Sequence, residues 1–272
     1  ASRGLGDVYK RQAMPFLDLP TGARVYYERK GKGPPLILIM GTGLDCSCWR
    51  LQVDAYCKHF ECISFDNRGT GKTTGNQTPL SVSLMAADTA ALIKKLNLGP
   101  AHISGLSLGS CIAQELTLNH PELVTTLQLH GTWGRAYGYA KRKFRAQIRL
   151  LEKLDLRAFY EINVLWFMTP KYMNLYPDKV TNQINQLIQS NPQRDLLKQQ
   201  YQADLDHDTL DRLPQIKVPS LVTVGSFDLA LPTMYGKEVT SAIPNCEFFM
   251  FKNGGCLLYT SPSPRDATLS GM

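Results

Sequence analysis

The chain has 272 residues, 43% hydrophobic and 19% charged, which suits one globular domain with room for an inserted subdomain. Its longest apolar runs, such as Leu36 to Met40, fall far short of the roughly 20 residues a membrane helix needs, so no membrane association is expected. The net charge of +7 comes without a basic stripe interleaved with aromatics, so no nucleic-acid partner is expected.

Seven cysteines lie without metal-ligand spacing. Cys46 and Cys48 make only a C-x-C, and Cys57 and Cys62 have no second pair to complete a zinc site. Neither a metal nor a disulfide framework is expected, which fits a reducing compartment. No charged-then-apolar leader opens the chain, and a cytoplasmic protein is expected.

Both ends look foreign. Ser2 to Gln12 match a translation of the transposon adapter used to prepare sequencing libraries, and Cys256 to Asp266 match the opposite strand of that adapter. Residues 1–12 and 256–272 are therefore read as adapter-derived tails and set aside. The native chain is expected to start at Met14 and to be cut off after Gly255.

Between these ends the elements run in a regular order. Phe16-Leu17-Asp18-Leu19 and Ala23 to Glu28 alternate around Pro20-Thr21-Gly22, an antiparallel hairpin. Leu36 to Met40 is a continuous apolar run, the mark of a strand buried on both faces of a parallel sheet. A helix near Trp49 to Lys58, strand Glu61 to Phe65 and helix Ser81 to Leu96 follow. Strand His102 to Ser104, a helix from Ser110 and strand Val124 to Leu129 come next. Asn76-Gln77-Thr78 matches a glycosylation sequon, without meaning in a cytoplasmic protein.

From Thr132 to Leu213 the alternation gives way to helices alone, with Asp155 as an N-cap and breaks at Pro170, Pro177 and Pro192. In this stretch Arg135, Lys141, Arg142, Lys143, Arg145 and Arg149 read as a solvated helix face. The sheet resumes with strand Ser220 to Gly225, helix Thr233 to Ala242 and strand Glu247 to Phe251. The predicted class is α/β: a mostly parallel central sheet flanked by helices, with an all-helical cap inserted after the sixth strand. Residues 14–131 and 214–255 form the core and residues 132–213 the cap.

One string stands out: Gly105-Leu106-Ser107-Leu108-Gly109, between a strand and a helix. Strand, tight turn and helix make G-x-S-x-G a nucleophile elbow, in which glycines let the backbone crowd and the serine hydroxyl stands exposed. Two competing strings fail. Gly69-Thr70-Gly71-Lys72-Thr73 looks like the end of a phosphate loop, but its first glycine would be Asp66 and no helix begins at Lys72. Gly41-Thr42-Gly43 lacks the third glycine of a dinucleotide fingerprint, Cys46 standing there instead.

Taken together these residues make the chain resemble an α/β-hydrolase over Phe16 to Gly255. Phe65-Asp66-Asn67-Arg68-Gly69-Thr70-Gly71 resembles the D-x-R-G-x-G loop of ester-, lactone- and peroxy-acid-handling members. Met40-Gly41-Thr42-Gly43 stands at the family's H-G-x-G position, with methionine for histidine. The resemblance implies Ser107 as nucleophile, Asp228 as acid, and an oxyanion hole from the backbone N–H groups of Thr42 and Leu108. The whole-chain look is similar to enol-lactonase-like and aminoacrylate-hydrolase-like members. It implies a serine hydrolase that works on a small carboxylic ester or lactone through an acyl-enzyme, with a small-molecule substrate and no cofactor.

The family's base is a histidine in the loop after the last strand, and Cys256 stands there. His59, His102 and His120 fall at element edges, and His207 reads as a surface group. His130, Trp133 and Trp166 are candidates to line the substrate pocket. Without the histidine the chain is expected to be nearly inactive. The rival is a non-catalytic ligand-binding or scaffold member of the same fold.

Overall fold

A computed structural model describes residues 16–75, 79–190 and 192–256. The adapter reading of both ends, apart from Cys256, and the sequon at Asn76 to Thr78 lie outside the described residues.

Among the described residues nine strands form one sheet: β1 (Phe16–Asp18), β2 (Ala23–Lys30), β3 (Pro35–Ile39), β4 (Glu61–Phe65), β5 (Thr74–Gly75), β6 (Ala101–Leu106), β7 (Val124–His130), β8 (Ser220–Gly225) and β9 (Cys246–Phe251). Their order is β1-β2-β4-β3-β6-β7-β8-β9, with β5 added to β2. The β1–β2 hairpin and the β2–β4 pairing are antiparallel, and every pairing from β4 to β9 is parallel. The sequence run Leu36 to Met40 explains the centre. Ile37, Leu38 and Ile39 are completely buried, as a strand covered on both faces requires.

Helices α1 (Arg50–Tyr56), α2 (Val82–Lys95), α3 (Leu108–Asn119) and α9 (Thr233–Ala242) connect the strands. Ser81 starts α2 by accepting the Leu84 N–H at 3.1 Å, a side-chain cap that satisfies one otherwise unpaired donor. Between β7 and β8 lie α4 (Gly138–Lys153), α5 (Leu156–Phe167), α6 (Pro170–Leu175), α7 (Pro177–Gln189) and α8 (Arg194–Asp206). Asp155 caps α5, as its sequence position predicts. The insert follows the seventh strand and not the sixth, because the two-residue β5 is too short to leave a periodic signal.

The loop after β4 ties these parts together. Arg68 and Asp88 of α2 form a buried bidentate pair at 2.9 and 2.8 Å. Asn67 donates to the Met40 carbonyl at 2.7 Å. Asp66 accepts the N–H groups of Cys46 and Lys72, both at 2.8 Å. This internal role for its carboxylate agrees with the rejection of a phosphate loop. Gln200 of α8 then reaches across, donating to the Arg68 carbonyl and to Thr70 and accepting the Gly43 N–H at 2.7 Å. One glutamine thus docks the helical insert on both loops beside the elbow.

Candidate active site

Ser107 sits at φ 52° and ψ −121°, a left-handed backbone state that non-glycine residues rarely adopt. Such strain costs on the order of 1–3 kcal/mol and persists only where surroundings over-determine it. Here they do. A Cβ on Gly105 would lie 2.2 Å from the Gly109 carbonyl oxygen, and one on Gly109 would lie 2.1 Å from that of Ile39. Both glycines of the motif are therefore required by backbone approach. The Ser107 N–H donates to the His130 carbonyl at 2.9 Å, and its carbonyl accepts the Ser110 N–H at 2.7 Å.

The half-buried Ser107 stands just ahead of α3, at the positive end of that helix. The N–H groups of Thr42 and Leu108 donate to nothing among the described residues. Gly41 brings its loop close, since a Cβ there would lie 3.1 Å from that of Ser107.

Asp228 follows β8 and is buried, with Oδ1 accepting the N–H groups of Ala230 and Leu231 at 2.9 and 2.8 Å. Its Oδ2 has no hydrogen-bond partner among the described residues. Burial raises its pKa to about 7, against the opposing pull of those N–H groups and of Lys143. Cys256 is buried against this carboxylate and lines the same cavity as Ser107. The Phe227 N–H donates to the Gly254 carbonyl at 2.8 Å, and the Asn253 N–H donates to Ser226 at 2.9 Å. These bonds fix the loop carrying residue 256 to the loop carrying Asp228. Burial pushes the Cys256 thiol well up, aided by the Asp228 charge, so it is held protonated.

None of the five histidines takes the base's place. His130 uses both ring nitrogens, on Ser104 at 3.0 Å and Thr223 at 2.6 Å, and burial lowers its pKa to about 4. His102 bonds Thr126 at 2.8 Å, and His120 lies 3.4 Å from Glu122. His59 is exposed beyond α1. His207 departs from expectation. It is buried against Trp133, bonded to Gln114 at 3.3 Å and Thr209 at 3.1 Å, and burial lowers its pKa to about 3.

The cavity over Ser107 encloses about 60 Å³ between the Gly41–Leu44 loop and helices α4, α5, α7 and α8. Gly43, Leu44, Gln183 and Leu187 also line a larger open cleft of about 950 Å³ beside it. The three aromatic candidates are not in its wall. His130 borders a separate cavity with Trp49 and Phe251. Trp133 is fully buried one layer back, its ring tilted by 42° against that of Phe144 at 5.2 Å, with its indole N–H donating to the Asp204 carbonyl at 3.3 Å. Trp166 lies off the inward face of α5, which is Tyr160, Asn163, Val164 and Phe167 at helical spacing.

Among the polar wall residues that were not anticipated are Lys143, Tyr160 and Asp204. Lys141, Arg142, Arg145 and Arg149 are exposed as expected, but Lys143 is 6% exposed. The signal was present, since Ala140, Lys143, Phe144, Gln147 and Leu151 follow helix spacing and are buried together. Asp204 accepts from the Thr42 hydroxyl at 2.7 Å, and burial raises its pKa to about 7. The folded state therefore holds this proton more strongly than the unfolded chain, and stability falls as pH rises from about 4 to about 7. Replacing Asp204 by Asn should remove that slope. The variant should gain about 2–4 kcal/mol on the parent between pH 4 and pH 8 in urea titrations. Parallel pH profiles would contradict this.

All seven cysteines are free thiols, and among the described residues no group of three His, Cys, Asp or Glu side chains could hold a metal ion.

Comparison with known proteins places this geometry. Residues 34–259 match the family model described as alpha/beta hydrolase fold. The RutD protein of Azorhizobium caulinodans, which carries the name of a carbamate hydrolase, is 28% identical over 82% of this chain and 84% of its own. BpoC of Mycobacterium tuberculosis H37Rv, named as a non-heme bromoperoxidase, is 32% identical over 85% of this chain and 90% of its own. Its crystal structure superposes with a TM-score of 0.80, covering 90% of this chain and 93% of that one. The enol-lactonase from Burkholderia xenovorans LB400 shares the fold at a TM-score of 0.82 and 22% identity, covering 94% and 96% of the two chains. With a strained serine between strand and helix and a parallel sheet behind it, the chain belongs to the alpha/beta hydrolase fold family.

Proposed function

We propose that the site is that of a cytoplasmic serine hydrolase for small carboxylic esters or lactones. The observation that carries this reading is the strained Ser107, placed under two unused N–H donors in a cavity that also holds residue 256 against Asp228. Ser107 Oγ attacks the substrate carbonyl, and the N–H groups of Thr42 and Leu108 take the developing oxyanion. Each such donor is worth about 3 kcal/mol in the transition state. The alkoxide or enolate leaves, an acyl-enzyme remains on Ser107, and water releases the acid.

Proton transfer in both steps needs a base oriented by Asp228 and within reach of Ser107. Residue 256, buried against Asp228 and lining the cavity of Ser107, is the position that supports this role, and a protonated thiol does not accept the Ser107 proton. For the chain as it stands, Cys256 therefore favours the second reading, a member that binds a small ligand and turns it over very slowly.

A fluorophosphonate, which modifies activated serines, separates the two. Ser107 should react slowly in this chain and at least roughly tenfold faster after Cys256→His, with no labelling after Ser107→Ala. Labelling that persists in Ser107→Ala would remove Ser107 from the chemistry.

A further inference from the structure

Lys143 is the least expected group in the cavity. It projects from α4 into the same space as Ser107, is 6% exposed, and has no carboxylate within ion-pair distance and no hydrogen-bond acceptor among the described residues. The ring of Phe144 lies 4.3 Å from its Nζ and that of Phe167 lies 5.4 Å away. Ring faces compensate a buried ammonium in part, yet a charge taken from water without a hydrogen-bonded counter-ion is expensive. Asp204, Asp228 and Cys256 are the titratable groups that face it, and none of them bonds it. Asp228 Oδ1 accepts from its backbone donors and Asp204 Oδ2 from Thr42, while the other oxygen of each carboxylate has no hydrogen-bond partner among the described residues and does not reach Lys143 within ion-pair distance.

Tyr160 repeats the pattern. Its hydroxyl is buried in the cavity wall on α5 with no partner among the described residues. Burial pushes its pKa up to about 12, so it remains a donor. An apolar-walled cavity thus presents two unused donors opposite the serine.

We propose that Lys143 and Tyr160 form an anion subsite, so that the substrate is a small ester or lactone bearing a free carboxylate at the end away from the scissile bond. This deepens the ester and lactone reading above and rests on it. Burial lowers the Lys143 pKa, and a bound carboxylate is the counter-ion that restores the charged form, while the tyrosine hydroxyl donates to its second oxygen. Bound in this way, the anion anchors the substrate from the helical insert while Ser107 meets its carbonyl from the sheet side.

Monomethyl and dimethyl succinate make a test pair of nearly equal shape, with and without the charge. Their binding to the full chain carrying Ser107→Ala is read by titration calorimetry, which needs no turnover. The charged ester should bind at least about tenfold more tightly, as a charge-assisted hydrogen bond warrants. Lys143→Met should erase that preference while leaving the neutral ester within about twofold, and Lys143→Arg should retain part of it. Equal binding of the two esters, or a preference that survives Lys143→Met in a protein with unchanged circular dichroism, overturns the subsite. If Lys143→Met fails to fold, the preference of the Lys143 protein and its fate in Lys143→Gln decide instead. Turnover is a separate outcome. Hydrolysis of neutral esters by the Cys256→His chain without charge preference rejects the subsite and keeps the hydrolase. Selective binding without turnover in that variant rejects the hydrolase and keeps the subsite.

Discussion

Replacing Cys256 by histidine should raise kcat/KM on p-nitrophenyl acetate by about 10²–10⁴-fold, the range that a positioned general acid–base contributes. The loop around residue 256 is already held for this. Gly225 admits the carbonyl oxygens of Gly254 and Gly255, where a Cβ would lie 2.3 and 2.4 Å away. The side chain at 256 is buried between the free Oδ2 of Asp228 and the cavity over Ser107. An imidazole there can donate to Asp228 with one nitrogen and accept the Ser107 proton with the other. It would also change Asp228 itself, since a cationic partner favours the carboxylate and draws its pKa down from about 7. The variant's rate should rise with pH as the imidazole loses its proton, with a limb near pH 6.5 or above. A Cys256→His/Ser107→Ala double variant should fall back to the starting rate. A Cys256→His protein that folds and shows no gain would mean that residue 256 does not reach the serine.

The second large effect concerns stability. Asp88→Ala should destabilise the protein by about 3–5 kcal/mol in urea, because it strips the carboxylate from a guanidinium that is 3% exposed. The loss should spread to the helical insert. The Arg68 carbonyl and Thr70 on the same loop hold Gln200 of α8, which in turn holds the Gly43 N–H next to Thr42. Replacing both partners, Arg68→Met with Asp88→Leu, should recover much of the difference, since no buried charge is then stranded. A single variant within 1 kcal/mol of the parent, with ~1 kcal/mol being an ordinary surface effect, would contradict this account of the loop.

These residues also mark how far the sequence could be read. Leu36 to Met40 announced the central strand because burial on both faces leaves an unbroken apolar run. Ser107 was legible because the elbow demands glycine on both sides, and those glycines meet backbone oxygens at 2.1–2.2 Å. Asp228 and residue 256 could be located by their place after β8 and β9.

The cavity wall was not legible in the same way. Lys143 lies among five other basic residues of the same stretch, so composition hid a position that helix spacing assigns to the buried face. Trp166 drew attention by its size, although it lies beside the inward row from Tyr160 to Phe167 and not in it. Trp133 and His207 pack on each other in a layer behind the wall, a long-range pairing without local pattern. Asp204 acquires its role only where α8 meets Thr42, more than a hundred residues away. Such partners are set by tertiary packing, which neither period nor composition encodes.

The central claim is that Ser107 carries the acyl group. It is tested most directly by incubating the Cys256→His protein with p-nitrophenyl acetate, quenching in acid during turnover, and mapping the adduct by peptide mass spectrometry. One acetyl group on Ser107 is the predicted result. Turnover with the acetyl group on another residue, Lys143 or Tyr160 included, would contradict it.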